Sequence, residues 1–482
     1  MNNKTVTSNL FWRLAERFGA QGVTLLVSLI LARLLDPEVY GIIALVTVIT
    51  SILQTFLDGG FSVALIQKKD ADDLDFSSVF YFNVVFGIVL YLLLFFTAPL
   101  IARFYKMPDL TPVIRVLGLT LFLFSLKGVQ QAYVSRNMMF KKFFFATLGG
   151  TVGAAVIGIL LAYFGFGVWA LVAQYLFNML VDTVILWFTV KWRPKRCFSL
   201  KRLKALLSFG WKMLVSVLLD TVYNDLRQLI IGKMYTASDL AFYNQGQKYT
   251  SAATSNINSS IDSVLLPTMS NAQDDIDTVK NMTRRAIRVS TYLIMPMMMG
   301  IAVCAEPLVR LVLTEKWLPC VPYMRIFCFT YAFFPVHTAN LNAIKALGRS
   351  DLFLKLEIAK KVYNTAILLA TMWWGPMIMA YSMLFTSVLG QIVNSWPNRK
   401  LLHYKYGEQL KDMFPQIGLS CLMGGIVFCV TLLGLPDIVT LLIQVPLGVA
   451  IYVLGSKLFR IDSFEYVLSV LKQFLPKKKI EA

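Results

Sequence analysis

Fourteen apolar runs, each long enough to cross roughly 30 Å of hydrocarbon, recur from one end of this 482-residue chain to the other. They lie near 12–34, 40–66, 78–101, 112–134, 143–164, 166–190, 208–232, 238–266, 287–305, 320–344, 352–373, 376–397, 414–434 and 437–456. Lipid offers no partner for a backbone N–H or C=O, so a chain built this way is confined to an all-α polytopic membrane fold. Composition agrees, because 57% apolar and only 15% charged residues is a mixture that soluble folds do not use.

A net charge of +19 would point to nucleic acid in a soluble protein, but here the positions of the charges decide. With the N-terminus cytoplasmic, the inside segments collect Lys68, Lys69, Arg136, Lys141, Lys142 and the cluster from Lys191 to Lys204. Further along the same side come Lys280, Arg284, Arg285, Arg288, Lys345, Arg349, Lys355, Arg399, Lys400, Lys405, Lys411 and Lys477 to Lys479. Outside loops hold only Arg33, Arg103, Lys106, Lys233, Arg310 and Lys316. This bias predicts both termini inside a cell membrane and no nucleic-acid partner. No signal peptide is expected, since the first apolar run carries Arg13, Glu16 and Arg17 with no small-residue cleavage site behind it.

Four of the runs carry polar stripes at helical spacing. In 237–267 these are Gln245, Lys248, Ser251, Ser255, Ser259 and Asp262, with Asn258 beside them. Helix 1 aligns Arg13, Arg17, Gln21, Thr24 and Ser28; helix 2 aligns Thr47, Ser51, Gln54 and Asp58; helix 7 aligns Lys212, Ser216, Asp220, Asn224 and Arg227, with Asp225 adjacent. An ionised side chain facing lipid near the midplane costs about 2.5–3.5 kcal/mol even on lenient scales, so these faces should meet protein or a wet cavity. A surface amphipathic helix at 237–267 is the alternative, but removing that crossing would place every later basic loop outside. Internal pairing, such as Asp220 with Arg227 or Asp225 with Lys248, competes with substrate binding for each residue. Lys127 and Asp182, each alone in an apolar helix, are expected to pair with one another, and Glu357, Lys360 and Lys361 to snorkel.

Other chemistry finds little support. The six cysteines show no metal-ligand spacing and no Gly-rich phosphate loop is present, so neither a metal nor another cofactor is expected. His337, inside the tenth run, is a candidate proton-linked site or a hydrogen-bonded bundle residue.

Internal repeats suggest a duplication. Asp72-Asp73-Leu74-Asp75 recurs as Asp274-Asp275-Ile276-Asp277 at an offset of 202, and Pro112-Val113-Ile114-Arg115 as Pro322-Tyr323-Met324-Arg325 at 210. Leu34-Leu35 followed by Tyr40 similarly parallels Met234-Tyr235 followed by Tyr243. Two six-helix lobes follow, 1–200 and 201–405, related by a pseudo-two-fold axis along the membrane normal, with a final helix pair and basic tail in 406–482.

The run Arg17-Phe18-Gly19-Ala20-Gln21-Gly22 through Leu31-Ala32-Arg33-Leu34-Leu35-Asp36-Pro37-Glu38-Val39-Tyr40-Gly41, with Asp58-Gly59-Gly60-Phe61 and Ala64-Leu65-Ile66-Gln67, resembles a known family. It is similar to the polysaccharide transporters of the multidrug/oligosaccharidyl-lipid/polysaccharide superfamily, above all the Wzx-type branch of colanic acid and teichuronic acid exporters. The resemblance implies a bacterial inner-membrane flippase that moves an undecaprenyl-pyrophosphate-linked oligosaccharide outward by alternating access, its cavity lined by helices 1, 2, 7 and 8. It further implies that Arg17, Lys212, Arg227 and Lys248 meet the pyrophosphate while cavity Gln and Asn bind sugar hydroxyls. Asp58, Asp220, Asp225 and Asp262 depart from a purely cationic cavity and leave room for coupling to a proton or sodium ion. Membrane lipids and a polysaccharide polymerase or export machinery are the expected partners. A drug/cation antiporter of the same superfamily is the alternative, disfavoured by the cavity cations. A polymerase or ligase would need a sizeable outer loop bearing catalytic residues, and every outside loop is short, so no enzyme is expected.

Overall fold

Pro37, which cannot donate to a preceding turn, and the left-handed pair Gly59 (φ 56°) and Gly60 (φ 73°) delimit the second helix of a computed structural model that describes residue 19 and residues 21–474. Among the described residues every regular element is a helix. The chain falls into two compact units, 1–241 and 242–482.

The first unit holds α1 (Gln21–Leu34), α2 (Pro37–Asp58), α3 (Phe61–Gln67), α4 (Asp73–Tyr105), α5 (Leu110–Leu117), α6 (Leu119–Arg136), α7 (Phe140–Tyr163), α8 (Val168–Thr189) and α9 (Leu200–Met234). α2–α3 runs antiparallel along α9 with almost no gap, and the contacts show why small residues stand there. A Cβ on Gly60 would lie 2.3 Å from the Gly210 carbonyl oxygen, one on Gly232 would lie 2.3 Å from Leu45 Cδ2, and one on Gly41 would lie 1.8 Å from the Ala237 carbonyl oxygen. Only glycine lets the backbones approach this closely.

One end of this unit is closed by an aromatic core in which Phe76 and Phe80 pack against Trp192, and Phe61 against Phe82. Polar contacts staple the same end. Asp72 caps α4 in a capping box with Asp75, Lys68 pairs with Asp75 and Lys195 with Asp73, both at 2.6 Å, and Trp192 Nε1 donates to Asp73 at 3.1 Å. The Asp75 backbone N–H, which donates to the Asp72 carboxylate, holds that carboxyl below the ordinary range. Arg136 donates to the Leu65, Lys68 and Lys69 carbonyls, capping the end of α3.

The second unit begins within α10 (Ala237–Asn271) and continues through α11 (Ile276–Val303), α12 (Ala305–Val312), a 3₁₀ turn at Glu315–Cys320, α13 (Val321–Ala332), α14 (Phe334–Ala346), α15 (Ser350–Thr371) and α16 (Pro376–Ser395). It closes with α17 (Asn398–Leu401), α18 (Tyr406–Thr431), α19 (Asp437–Leu458) and α20 (Asp462–Phe474). Its basic end is again gathered onto a carboxylate: Asp412 accepts from Arg284 at 2.6 and 2.7 Å, from Arg288 and from the Tyr404 hydroxyl at 2.7 Å. Beside it Asn340, Gln409 and Asn398 form a buried amide triad with contacts of 2.7–3.0 Å.

Within the described residues the expected segments fall on helix, three of them as broken pairs, α2–α3, α5–α6 and α13–α14. Nine described helices or end-to-end pairs are long and apolar enough to cross a membrane, and ten if α9, bent by 51° about its glycine at 210, is one span. The bend is what sets α9 apart, whereas the polar residues of α10 keep it below that measure. Two expected boundaries move. The basic residues 201–204 are not loop but the first turn of α9, capped by Ser199, and α11 starts at Ile276 rather than 287 because Asp275 caps it. Within 406–482, expected as two helices and a tail, the segment 462–474 is the further helix α20.

Candidate functional site

The polar stripe of α10 stands on the side opposite Gly246, whose Cα face is pressed so closely on α13 that a Cβ would meet Tyr323 and Met324 at 2.8 and 2.9 Å. Lys248, Ser255 and Ser259 therefore point away from the face packed on α13, whereas Asp262, farther along the same stripe, reaches α14 of its own unit. Ser255 is exposed, and Lys248, Asn258 and Asp262 are half-buried. Gln245 departs from the group: it is 3% exposed and belongs to the protein interior. Asp262 accepts from Asn342 Nδ2 at 2.8 Å, so its charge is already partly compensated.

The hydroxyls of the stripe bond to their own helix. Ser251 donates to the Lys248 carbonyl and Ser259 to the Asn256 carbonyl, both at 3.2 Å. Serine satisfied in this way does not demand water. The distinctive group is Lys248, whose ammonium makes no ion pair or hydrogen bond with the described residues.

In the first unit, α9 presents Lys212, Asp220 and Asn224 exposed, with Asp225 and Arg227 half-buried. Asp225 accepts from Gln228 Nε2 at 3.1 Å. Arg227 carries a buried Nη1 that finds no acceptor among the described residues, an expensive state for a guanidinium donor unless a ligand supplies one. On α2, Gln54 and Asp58 are half-buried, and Asp58 accepts from the Ser62 hydroxyl across the Gly59–Gly60 break, which ties it to the local turn. Gln21 on α1 is half-buried, and Arg13 and Arg17 lie outside the described residues. Of the internal pairings weighed from sequence, Lys127–Asp182 forms, with Nζ 2.6 Å from Oδ2. Polar contacts that the stripes did not reveal include Gln130 Nε2 to the Trp192 carbonyl at 3.2 Å and the amide triad around Asn340. These residues lie outside the four stripes, and no helical spacing marks them.

The architecture is shared with known transporters. An inward closed lipid II flippase MurJ superposes with a TM-score of 0.74 at 13% identity, covering 96% of this chain and 99% of its own. An inward-facing MATE multidrug resistance transporter of the MOP superfamily superposes at 0.61 and 15% identity, covering 81% and 98%. In sequence, the succinoglycan biosynthesis transport protein ExoT of Rhizobium meliloti is 26% identical over 76% of this chain and 74% of its own length. The teichuronic acid biosynthesis protein TuaB of Bacillus subtilis is 25% identical over 80% of each, and the lipopolysaccharide biosynthesis protein WzxC of Escherichia coli 24% identical over 78% and 76%. The family model described as polysaccharide biosynthesis protein matches residues 30–322, more than half of the sequence, and with the resemblance read in helices 1 and 2 it makes this chain a member of that polysaccharide biosynthesis family on a MOP-superfamily fold.

Proposed function

We propose that this chain is a flippase that exports an undecaprenyl-pyrophosphate-linked oligosaccharide repeat unit across the bacterial inner membrane by alternating access, with both termini cytoplasmic. The observation that carries the reading is the cationic chemistry of α9 and α10: among the described residues a buried Arg227 N–H has no acceptor and the Lys248 ammonium has no ion pair. A pyrophosphate supplies what both lack, several charged acceptor oxygens in a geometry that suits the guanidinium fork. By their order in the sequence Arg17 and Lys212 receive the headgroup first, and Lys248 and Arg227 next. The amides of Gln21, Gln54, Asn224 and Asn258 and the Ser255 hydroxyl offer donors and acceptors to sugar hydroxyls, while Gln245 supports the helix from within. Asp220 and Asp225 temper the positive field, so that the headgroup can leave as well as bind.

The names of the related transport and biosynthesis proteins support the substrate class, and the recurrence of the Arg115 contact at Arg325 supports two lobes at 1–200 and 201–405. Export of this kind also calls for a polymerase to join the delivered units and for a driving ion, a proton or sodium. The test is a deletion strain complemented with Arg227→Ala, Arg227→Lys or Lys248→Ala, scored for lipid-linked repeat units left on the cytoplasmic face. Arg227→Ala and Lys248→Ala should fail with normal membrane insertion, and Arg227→Lys should be a partial replacement, because a point charge lacks the fork. Full export by well-inserted alanine variants would refute the assignment.

A further inference from the structure

Three polar residues of α5–α6 recur in α13–α14 at one offset: Arg115, Lys127 and Gln130 become Arg325, His337 and Asn340, each 210 positions on. The first pair keeps its contact, since Arg115 Nε donates to the Phe95 carbonyl at 3.3 Å near the end of α4 and Arg325 Nε to the Ala302 carbonyl at 3.2 Å near the end of α11. The middle pair keeps its place but changes its chemistry. Lys127 meets Asp182 of α8 at 2.6 Å, whereas His337 Nδ1 meets Nδ2 of Asn394, on α16, at 3.1 Å. A fixed ion pair in one unit corresponds to a neutral imidazole–amide contact in the other.

Charged and polar groups of neighbouring helices surround that imidazole. From α15, Lys360 lies within electrostatic reach, its ammonium 2.6 Å from Glu357, whose carboxylate side chain is 31% exposed. Tyr363 of the same helix stands close by: a Cβ on Gly390 of α16 would lie 3.2 Å from its hydroxyl and 3.6 Å from His337 Cε1. The charges of α11, which also packs on α14, are engaged elsewhere, Arg284 and Arg288 with Asp412 and Arg285 over the Tyr466 ring. Asn394 is 1% exposed, and its Oδ1 is buried without a hydrogen-bond partner among the described residues.

We propose that His337 is a proton-binding site of the transport cycle, with Asn394 as the amide that serves both protonation states and Glu357 as the group through which the proton enters. The proposal rests on the export reading for its role, but not for its chemistry. In the neutral state Nδ1 accepts from the Asn394 amide and Nε2 carries the hydrogen. An incoming proton, released from hydronium or from the protonated Glu357 carboxyl, bonds to the Nδ1 lone pair and leaves water or the carboxylate behind. The Asn394 amide then turns by half a revolution, so that Oδ1, idle in the neutral state, accepts from Nδ1–H. Loss of the proton reverses both steps. Asp182 only accepts, so the Lys127–Asp182 pair stays fixed while its counterpart cycles.

The chain has two histidines, so His403→Gln leaves a single imidazole to observe by ¹⁵N NMR in the full-length protein held in phosphatidylethanolamine/phosphatidylglycerol nanodiscs. Between about pH 4 and about pH 8 the Nδ1 signal should pass from the protonated to the unprotonated position, with proton affinity about tenfold lower in Asn394→Leu and about tenfold higher in Asn394→Asp. A signal that stays unprotonated over that range in both the parent and Asn394→Asp overturns the proposal, whatever the chain exports. In the complemented deletion strain, His337→Gln keeps a hydrogen bond to Asn394 but cannot take a proton, and export should fall about tenfold or more. Unchanged export by His337→Gln removes the coupling role and leaves the export reading standing. A deletion strain that still delivers its repeat units outside refutes the export reading instead, and the NMR titration alone then decides the site.

Discussion

Removing the Lys127 ammonium should destabilise the protein far more than removing the ion pair as a whole. Lys127 and Asp182 are 8% and 7% exposed, their charged atoms are 2.6 Å apart, and the second carboxylate oxygen of Asp182 is already without a hydrogen-bond partner. In Lys127→Met the carboxylate would stand alone between α6 and α8, and breaking a buried pair from one side costs about 3–5 kcal/mol. Against a typical net stability of about 5–15 kcal/mol that is about a fifth of the margin or more. In Lys127→Met/Asp182→Leu no charge remains to be desolvated, and replacement by apolar groups of similar volume is neutral or stabilising by about 1–4 kcal/mol. The cycle should therefore close with a coupling energy of about 3 kcal/mol or more, the upper end of what neighbouring residues show. The assay is the fraction of detergent-solubilised, fluorescently tagged protein that stays monodisperse after graded heating, for the wild type, both single variants and the double. Wild-type stability of Lys127→Met alone would refute the reasoning. A double variant as weak as the singles would mean that α6 and α8 lose packing rather than pairing.

Two further outcomes follow from local geometry. Gly60→Ala should insert poorly, because its left-handed φ of 73° and the 2.3 Å approach to Gly210 leave no room for a Cβ, a cost of about 2–4 kcal/mol when strain and overpacking combine; membrane yield and heat stability check this. Thr278 donates to the Asp275 carboxylate from both its backbone N–H and its hydroxyl and holds that group below its ordinary value of 3.8. A carboxyl depressed in the folded state contributes stability above its unfolded value that is lost as pH falls, so wild type should lose the α11 cap below about pH 3.8 while Asp275→Asn shows a flatter profile there, measured by amide exchange of the first turn of α11.

Helix existence was the most legible part of this chain, because lipid forces each apolar run into a form that satisfies its own backbone. Helix ends were less so. Apolarity marks where a helix crosses hydrocarbon, whereas Ser199 and Asp275 set where α9 and α11 begin, so basic residues expected in loops lie on helical turns. The stripes were legible as faces but not as chemistry: serine spacing read as a wet surface, yet Ser251 and Ser259 are satisfied by carbonyls one turn back, and Gln245 turns into the protein. Glu357 and Lys360, read as snorkelling separately to the surface, hold each other at 2.6 Å. The offset of 210 was legible at its first match, but not how far along the helices it extends. Beyond the Arg115/Arg325 match it aligns Lys127 with His337 and Gln130 with Asn340, polar residues of different type whose equivalence no identity search finds. Under the proposed duplication, the place where a buried polar group is tolerated is kept because the packing around it is inherited, and the kind of polar group is left open to change. On that reading a lone histidine in an apolar helix gains meaning because the residue 210 positions earlier is a lysine already paired with a carboxylate.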